Sequence, residues 1–202
     1  MSNPTGAYGL MPLRYKSGAP YNGACNLYLC SGATALFIGD PVVKVASSNT
    51  TDYYGMPAGS IGNVTIATAA YTNRITGVVV GFFAEQATST VYNAASTVRG
   101  VYVADDPNLV FSVRDNGAAT PLNTWVHANA DLVAGSGSTY TNKSGWALNG
   151  STVYVGAASN TATAQLRILR LRPDSPANTL AAYAEWEVQI KYHTEVDGVA
   201  GY

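Results

Sequence analysis

Residues 185–193 alternate strictly: Trp186, Val188, Ile190 and Tyr192 are apolar, while Glu185, Glu187, Gln189, Lys191 and His193 are polar or charged. Side chains of an extended strand point alternately to opposite faces, so this is a strand with one core face and one polar face. No helical rhythm competes with it. No window sustains a 3.6-residue apolar repeat, and residues 181–185 have room for one helical turn at most. Elsewhere the apolar runs are short and are cut by Gly, Pro, Asn and Asp. The chain is thereby constrained to many short strands joined by tight turns, an all-β barrel or sandwich.

The strands can be read in order. Candidates lie at 26–30, 36–38, 42–45, 64–68, 75–83, 98–104, 109–114, 153–156 and 165–172, with a polar loop at 47–63. The run 75–83 is continuously apolar, as expected of a strand buried on both faces. Asn116-Gly117 and Asn149-Gly150 are tight-turn signals. In 165–172 the apolar phase slips by one between Ile168 and Leu169, which predicts a β-bulge.

Residues 1–24 read as an extended arm before a single β-rich domain, 25–202. Pro4, Gly6, Gly9, Pro12, Gly18, Pro20 and Gly23 break regular structure, while Tyr8, Leu10, Met11, Leu13, Tyr15 and Tyr21 give the arm apolar weight. Such a segment needs a surface to lie on. It packs either on its own domain or on a neighbouring subunit, and the second reading makes it a docking arm.

Composition narrows the function. Lys and Arg number 11, Asp and Glu 12, in 202 residues, with two histidines and a net charge of −1. Acid–base and nucleophilic catalysis need such groups converging on a pocket. A structural or binding protein is expected, not an enzyme, with no cofactor. Balanced charge argues against a nucleic-acid partner, which needs a strongly basic face. The start, Met1-Ser-Asn-Pro-Thr-Gly, offers no basic or apolar stretch, so no secretory signal is expected. The longest apolar runs, such as 78–84, fall far below the roughly 20 residues of a membrane-crossing helix, and no membrane partner is expected. Cys25 and Cys30 would point to opposite faces of a strand and are read as two buried free thiols.

The chemical motifs are thin. No Gly-x-Ser-x-Gly accompanies His127. His193, Glu195 and Asp197 share one strand face, a conceivable metal trio, although their place at the end of the last strand favours a solvated tail. Asp105-Asp106-Pro-Asn is a turn, without the alternating oxygen ligands of a calcium loop. Gly135-Ser-Gly-Ser lacks the lysine of a phosphate-binding loop and opens no helix. Arg167, Arg170 and Arg172 form the one basic cluster, either a strand face or a polar subunit contact.

A series of short blocks resembles the capsid decoration, or cement, proteins of tailed bacteriophages. The blocks are Gly9-Leu-Met-Pro-Leu-Arg-Tyr with Pro20-Tyr-Asn-Gly, Leu36-Phe-Ile-Gly-Asp-Pro-Val-Val, Ile75-Thr-Gly-Val-Val-Val-Gly-Phe, Tyr92-Asn-Ala-Ala-Ser-Thr-Val-Arg, Val101-Tyr-Val-Ala-Asp-Asp-Pro, Asn129-Ala-Asp-Leu-Val-Ala-Gly-Ser-Gly-Ser and Gln165-Leu-Arg-Ile-Leu. Their order along the chain carries the likeness. Residues 39–81 are also similar to the small β-tulip head decoration proteins. There a strand after Gly-Asp-Pro-Val pairs, across a loop, with an Ile-x-Gly-Val-Val-Val strand.

The resemblance implies a structural virion protein with no catalytic residues. It would be made in the host cytoplasm and would sit on the outer capsid surface. Its partners would be the major capsid protein and further copies of itself, a trimer ahead of a dimer. Several modest contacts on one oligomer sum to strong binding, and tyrosines give contact area at low entropic cost. The interface candidates are Tyr8, Leu10, Met11, Leu13, Arg14, Tyr15, Tyr21, Arg167, Arg170 and Arg172. The alternative is a tail, fibre or receptor (glycan) binding component. A glycan hydrolase would need two carboxylates about 5–10 Å apart in a cleft, and no acidic motif suggests one.

Overall fold

Short strands with few long connections must bury their apolar faces against each other. A computed structural model describes residues 2–30, 32–70, 72–155, 164–174 and 177–196. In these residues the chain is all-β. The strands are β1 (Met11–Tyr15), β2 (Asn26–Cys30), β3 (Pro41–Ser48), β4 (Gly62–Ile66), β5 (Gly77–Phe82), β6 (Arg99–Ala104), β7 (Leu109–Arg114), β8 (Asn129–Val133), β9 (Ala147–Tyr154), β10 (Leu166–Leu171) and β11 (Glu185–Ile190). One 3-10 turn, Asn123–Trp125, interrupts them. Among the described residues no helix is long and apolar enough to cross a membrane.

The strands divide into two sheets. Strands β2, β4, β3, β5 and β6 close a small barrel, in which β2 and β4 run parallel and the other pairs antiparallel. The β3–β5 pairing expected of residues 39–81 is present, with Pro41 opposite Val78. The second sheet has the order β1-β7-β11-β10-β8-β9, antiparallel throughout. It curls on itself: Asp115, just past β7, bridges Leu148 of β9.

Two cores follow. Tyr28, Cys30, Leu36, Val42, Val64, Val79, Val101 and Val103 fill the barrel. The larger core lies between the barrel and the second sheet. It joins Ile75, Val78 and Ala104 of the barrel side to Phe111, Leu166, Ile168, Trp186 and Val188. The continuous run at 75–83 is thus explained, because Val78 faces the shared core and Val79 the barrel interior. Trp186, Val188 and Ile190 are buried as the alternation requires. The phase slip in β10 is a register shift between Ile168 and Arg170 against β11.

The N-terminal arm is the main correction. Residues 11–15 are a strand of the second sheet, laddered to β7, with a shift between Pro12 and Arg14 that leaves Leu13 out of register. Leu10 is fully buried in the shared core. Gly9 donates its N–H to the Trp146 carbonyl (3.1 Å) and Leu10 donates to Gly39 (2.9 Å), so the segment is stitched to both sheets where they meet. Gly9 has φ +76°, and a Cβ there would lie 2.3 Å from the Gly39 oxygen; no other residue fits.

Other expectations also need revision. Leu36 and Ile38 make only isolated bridges, to Asn93 and Lys143. Strand β8 and most of β9 lacked a sequence signal, because Asp131 interrupts the first and Asn149-Gly150 the second. Asp131 is nonetheless buried, accepting from the Tyr154 hydroxyl (3.0 Å) and the Gln165 N–H (3.2 Å). Cys30 is buried but Cys25 is exposed, and both are free. Residues 181–183 turn without helix, with Tyr183 at φ +64°.

Candidate functional site

Among the described residues, the polar face of the second sheet carries most of the paired charge. Across β7 and β11, Ser112 stands opposite Glu187 and Arg114 opposite Glu185; across β10 and β11, Arg170 stands opposite Glu187. Glu187, which alternation alone would place in solvent, is buried. Arg170 grips it through two bonds of 2.9 Å, and Arg14 adds a third at 2.6 Å. Burial pushes this carboxyl up, but the bonds from Arg170 and Arg14 outweigh it and hold the pKa below the usual range. Glu185 takes Arg114 (2.5 Å) and Arg172 (3.3 Å), and Arg172 also forks onto Asp174 (2.9 and 3.1 Å).

Residues 3–8 strap over this face. Asn3 is buried and donates to the carbonyls of Thr179, Ala181 and Ala182. The Gly6 carbonyl accepts from Arg114. Tyr8 lies against the Arg114 guanidinium (5.1 Å from ring centre) and shares a 2.7 Å hydrogen bond with Ser112.

The interface candidates therefore fall into three groups. Leu10 lies within this chain's own core and offers no contact surface. Tyr8, Met11, Leu13, Arg14, Tyr15 and Tyr21 are half-buried against their own sheet; Tyr15 and Tyr21 pack on the shared core. Arg170 and Arg172 are committed to carboxylates, whereas Arg167 is exposed and makes no ion pair among the described residues. The three arginines do not act as one patch.

The loop at 47–63, read as merely polar, hides a surface that residue counting missed. Tyr54, Val91 and Val98 are all more than half exposed, and Val98 lines one groove together with Tyr53. Tyr54 rests on Tyr53 (5.0 Å) and Phe83 (5.4 Å). Tyr53 is fixed in turn, donating to Glu85 (2.5 Å) and accepting from the Gly100 N–H (2.7 Å). The signal available was Tyr53-Tyr54 inside a loop.

Between the sheets runs a cleft of about 610 Å³. Phe37, Ile66, Ala67, Ala69, Ala134 and Trp146 give it apolar walls; Thr34, Thr68 and Ser136 add hydroxyls; among the described residues Asp40 is its one ionisable lining group. Gly135-Ser-Gly-Ser forms its rim, and its glycines have a steric purpose. A Cβ on Gly137 would lie 2.1 Å from the Phe37 ring, which itself stacks on Tyr92. Asp40 is 2% exposed. Its Oδ2 accepts the Phe37 N–H (2.8 Å), and its Oδ1 has no hydrogen-bond partner. Burial pushes this carboxyl up to about 6, with the Ser144 hydroxyl and the Phe37 N–H pulling the other way.

The histidine-based expectations resolve differently. His193 is no part of a solvated tail: it is 1% exposed, and its Nδ1 accepts the Glu195 N–H (3.0 Å). Burial lowers its pKa. Glu195 pairs with Lys44 (2.5 Å), and Asp197 lies outside the described residues. Among the described residues no three His, Cys, Asp or Glu gather as a metal site. His127 is exposed, at φ +67°. In comparisons with protein-family models, curated proteins and solved structures, nothing matches this chain.

Proposed function

We propose that this chain is a structural virion protein that binds the outer surface of a phage capsid and clamps neighbouring major capsid protein subunits. The observation that carries the reading is the ordered series of decoration-protein-like blocks. Two of them, Gly9-Leu-Met-Pro-Leu-Arg-Tyr and Leu36-Phe-Ile-Gly-Asp-Pro-Val-Val, touch each other at Gly9 and Gly39. Sparse charge and a rigid β scaffold suit a binding role. The contact surface is better sought at Tyr54 and Val98, which flank Tyr53, than in the arm, since the arm's apolar side chains are already partly or wholly used within the chain. Aromatic anchors of that kind concentrate binding energy at interfaces. Self-association, as a trimer, supplies the multivalency that modest contacts need.

The test is to add the purified chain to phage heads that lack a decoration protein. Co-sedimentation and a higher rupture temperature of the heads are expected, both weakened by Tyr54→Ala. Heads that neither bind the chain nor gain stability would refute the reading. Binding to tails or fibres instead would replace it with the tail-component alternative.

A further inference from the structure

Asp40 is a carboxylate on the floor of a mostly apolar cleft, with no basic residue among the groups that line the cleft. The influences on its titration are burial, Ser144 and the Phe37 N–H; none is a charge. Tyr92 stacks on Phe37, Tyr8 touches Gly39 through its backbone carbonyl, and exposed Lys143 bridges Ile38 through its backbone. None of these groups compensates the carboxylate. A buried anion without a counter-charge is costly, and the fold keeps it, offset only by the Phe37 N–H and the nearby Ser144 hydroxyl.

The donor set selects the ligand. Calcium takes about 6–8 oxygen ligands, and the lining holds a single carboxylate amid apolar walls. A guanidinium is best met by two free carboxylate oxygens, and Oδ2 is already occupied by the Phe37 N–H. A primary ammonium needs one strong anionic acceptor, and hydroxyl or carbonyl oxygens can take its other protons. A volume of about 610 Å³ is within the usual range for small-molecule sites, which favour the junction between packed units.

We propose that this cleft binds a primary ammonium on a short apolar stem, with Asp40 as counter-ion and Phe37, Ile66 and Trp146 around the stem. A lysine side chain of a partner protein and a free alkylamine share this chemistry. The site stands independently of the capsid reading.

The test uses the full chain and n-butylammonium chloride, with n-butanol as the neutral control. NMR follows the Phe37 amide and the Trp146 indole. Saturable shifts with n-butylammonium at pH 7.5 are expected. Affinity should be at least tenfold weaker for n-butanol, for Asp40→Asn, and at pH 5, where the carboxyl takes up its proton. Ala134→Leu, at an exposed position on the cleft wall, narrows the site without touching Asp40 and should also weaken binding. It decides the matter should Asp40→Asn not fold. Nα-acetyl-lysine amide separates the sources: tighter binding than n-butylammonium assigns the site to a polypeptide lysine, equal or weaker binding to a free amine. Equal affinity for n-butanol, undiminished binding in both variants, or no saturable n-butylammonium shift up to about 100 mM would overturn the proposal.

Discussion

Leu10→Ala asks whether the N-terminal segment belongs to the fold or merely lies beside it. Leu10 is fully buried in the same core as Val78 of the barrel and Trp186 of the second sheet. Truncating such a leucine costs about 2.7–5.0 kcal/mol, more when the surroundings cannot close over the void. Here they are restrained, since the backbone on either side is bonded to Trp146 and Gly39. A loss of about 3–4 kcal/mol is expected, a large part of the roughly 5–15 kcal/mol that holds a domain together. Urea unfolding followed by tryptophan fluorescence measures it. With a slope of about 2 kcal/mol/M, the midpoint should fall by about 1.5–2 M at unchanged slope. Leu13→Ala, at the half-buried out-of-register position, is the control and should cost less than about 1 kcal/mol. If Leu10→Ala costs no more than its control, the segment is not part of the core. By the same reasoning, deletion of residues 1–20 should prevent folding rather than leave a stable protein with a docking defect.

Glu187→Gln removes the charge that Arg14 and Arg170 share. Because Arg170 is half exposed, a loss of about 1–3 kcal/mol is expected, below the range for a fully buried pair; an unchanged urea midpoint would mean that these ion pairs contribute nothing. His193 is held neutral by burial, so the stability it provides is present above about pH 6.5 and is lost as pH falls through its lower folded pKa. In His193→Gln the urea midpoint should change less between pH 7 and pH 5 than in the parent, and an equal change would rule this out. Asp40 acts in the opposite sense: its pKa rises from 3.8 to about 6, so its contribution is intact below 3.8 and lost as pH rises through about 6. Asp40→Asn should therefore be up to about 3 kcal/mol more stable at pH 7.5 and no more stable near pH 4; a pH-independent difference would contradict the assignment.

Much of the fold was legible because alternation reports burial directly. Residues 186, 188 and 190 face the core, and the phase slip at Ile168 falls at the bulge. Alternation failed where burial and polarity part company. Glu187 occupies the polar register and is still buried, because Arg170 on the adjacent β10 and Arg14 on β1, two strands away, both reach it, and such cross-strand partners leave no local trace. Strand β8 was invisible because Asp131 looks like a strand breaker until Tyr154 and Gln165 are brought to it. The arm misled for a related reason: Pro12 and Gly9 prohibit an ordinary strand interior, but the edge of a sheet and a glycine-only contact tolerate both. Of the cleft, Gly135-Ser-Gly-Ser and Gly39-Asp-Pro were visible as motifs. Their convergence depends on two loops 90 and more residues apart and could not be read locally.

Asn3 finds its partners at Thr179, Ala181 and Ala182, a sequence separation of at least 176 residues. Nearly the whole chain must leave the ribosome before this clasp can form. At about 5–20 residues per second, the interval is roughly 10–35 s; β7, the strand to which β1 is laddered, emerges within it, but β11 does not. The barrel, whose strands all lie within Asn26–Ala104, can assemble in that interval. Completion then rests on contacts of very high sequence separation, the kind that slows folding most. The Asn3 clasp is thus among the last contacts of the described residues to form, and a nascent chain stalled before Thr179 would leave Asn3 without these partners.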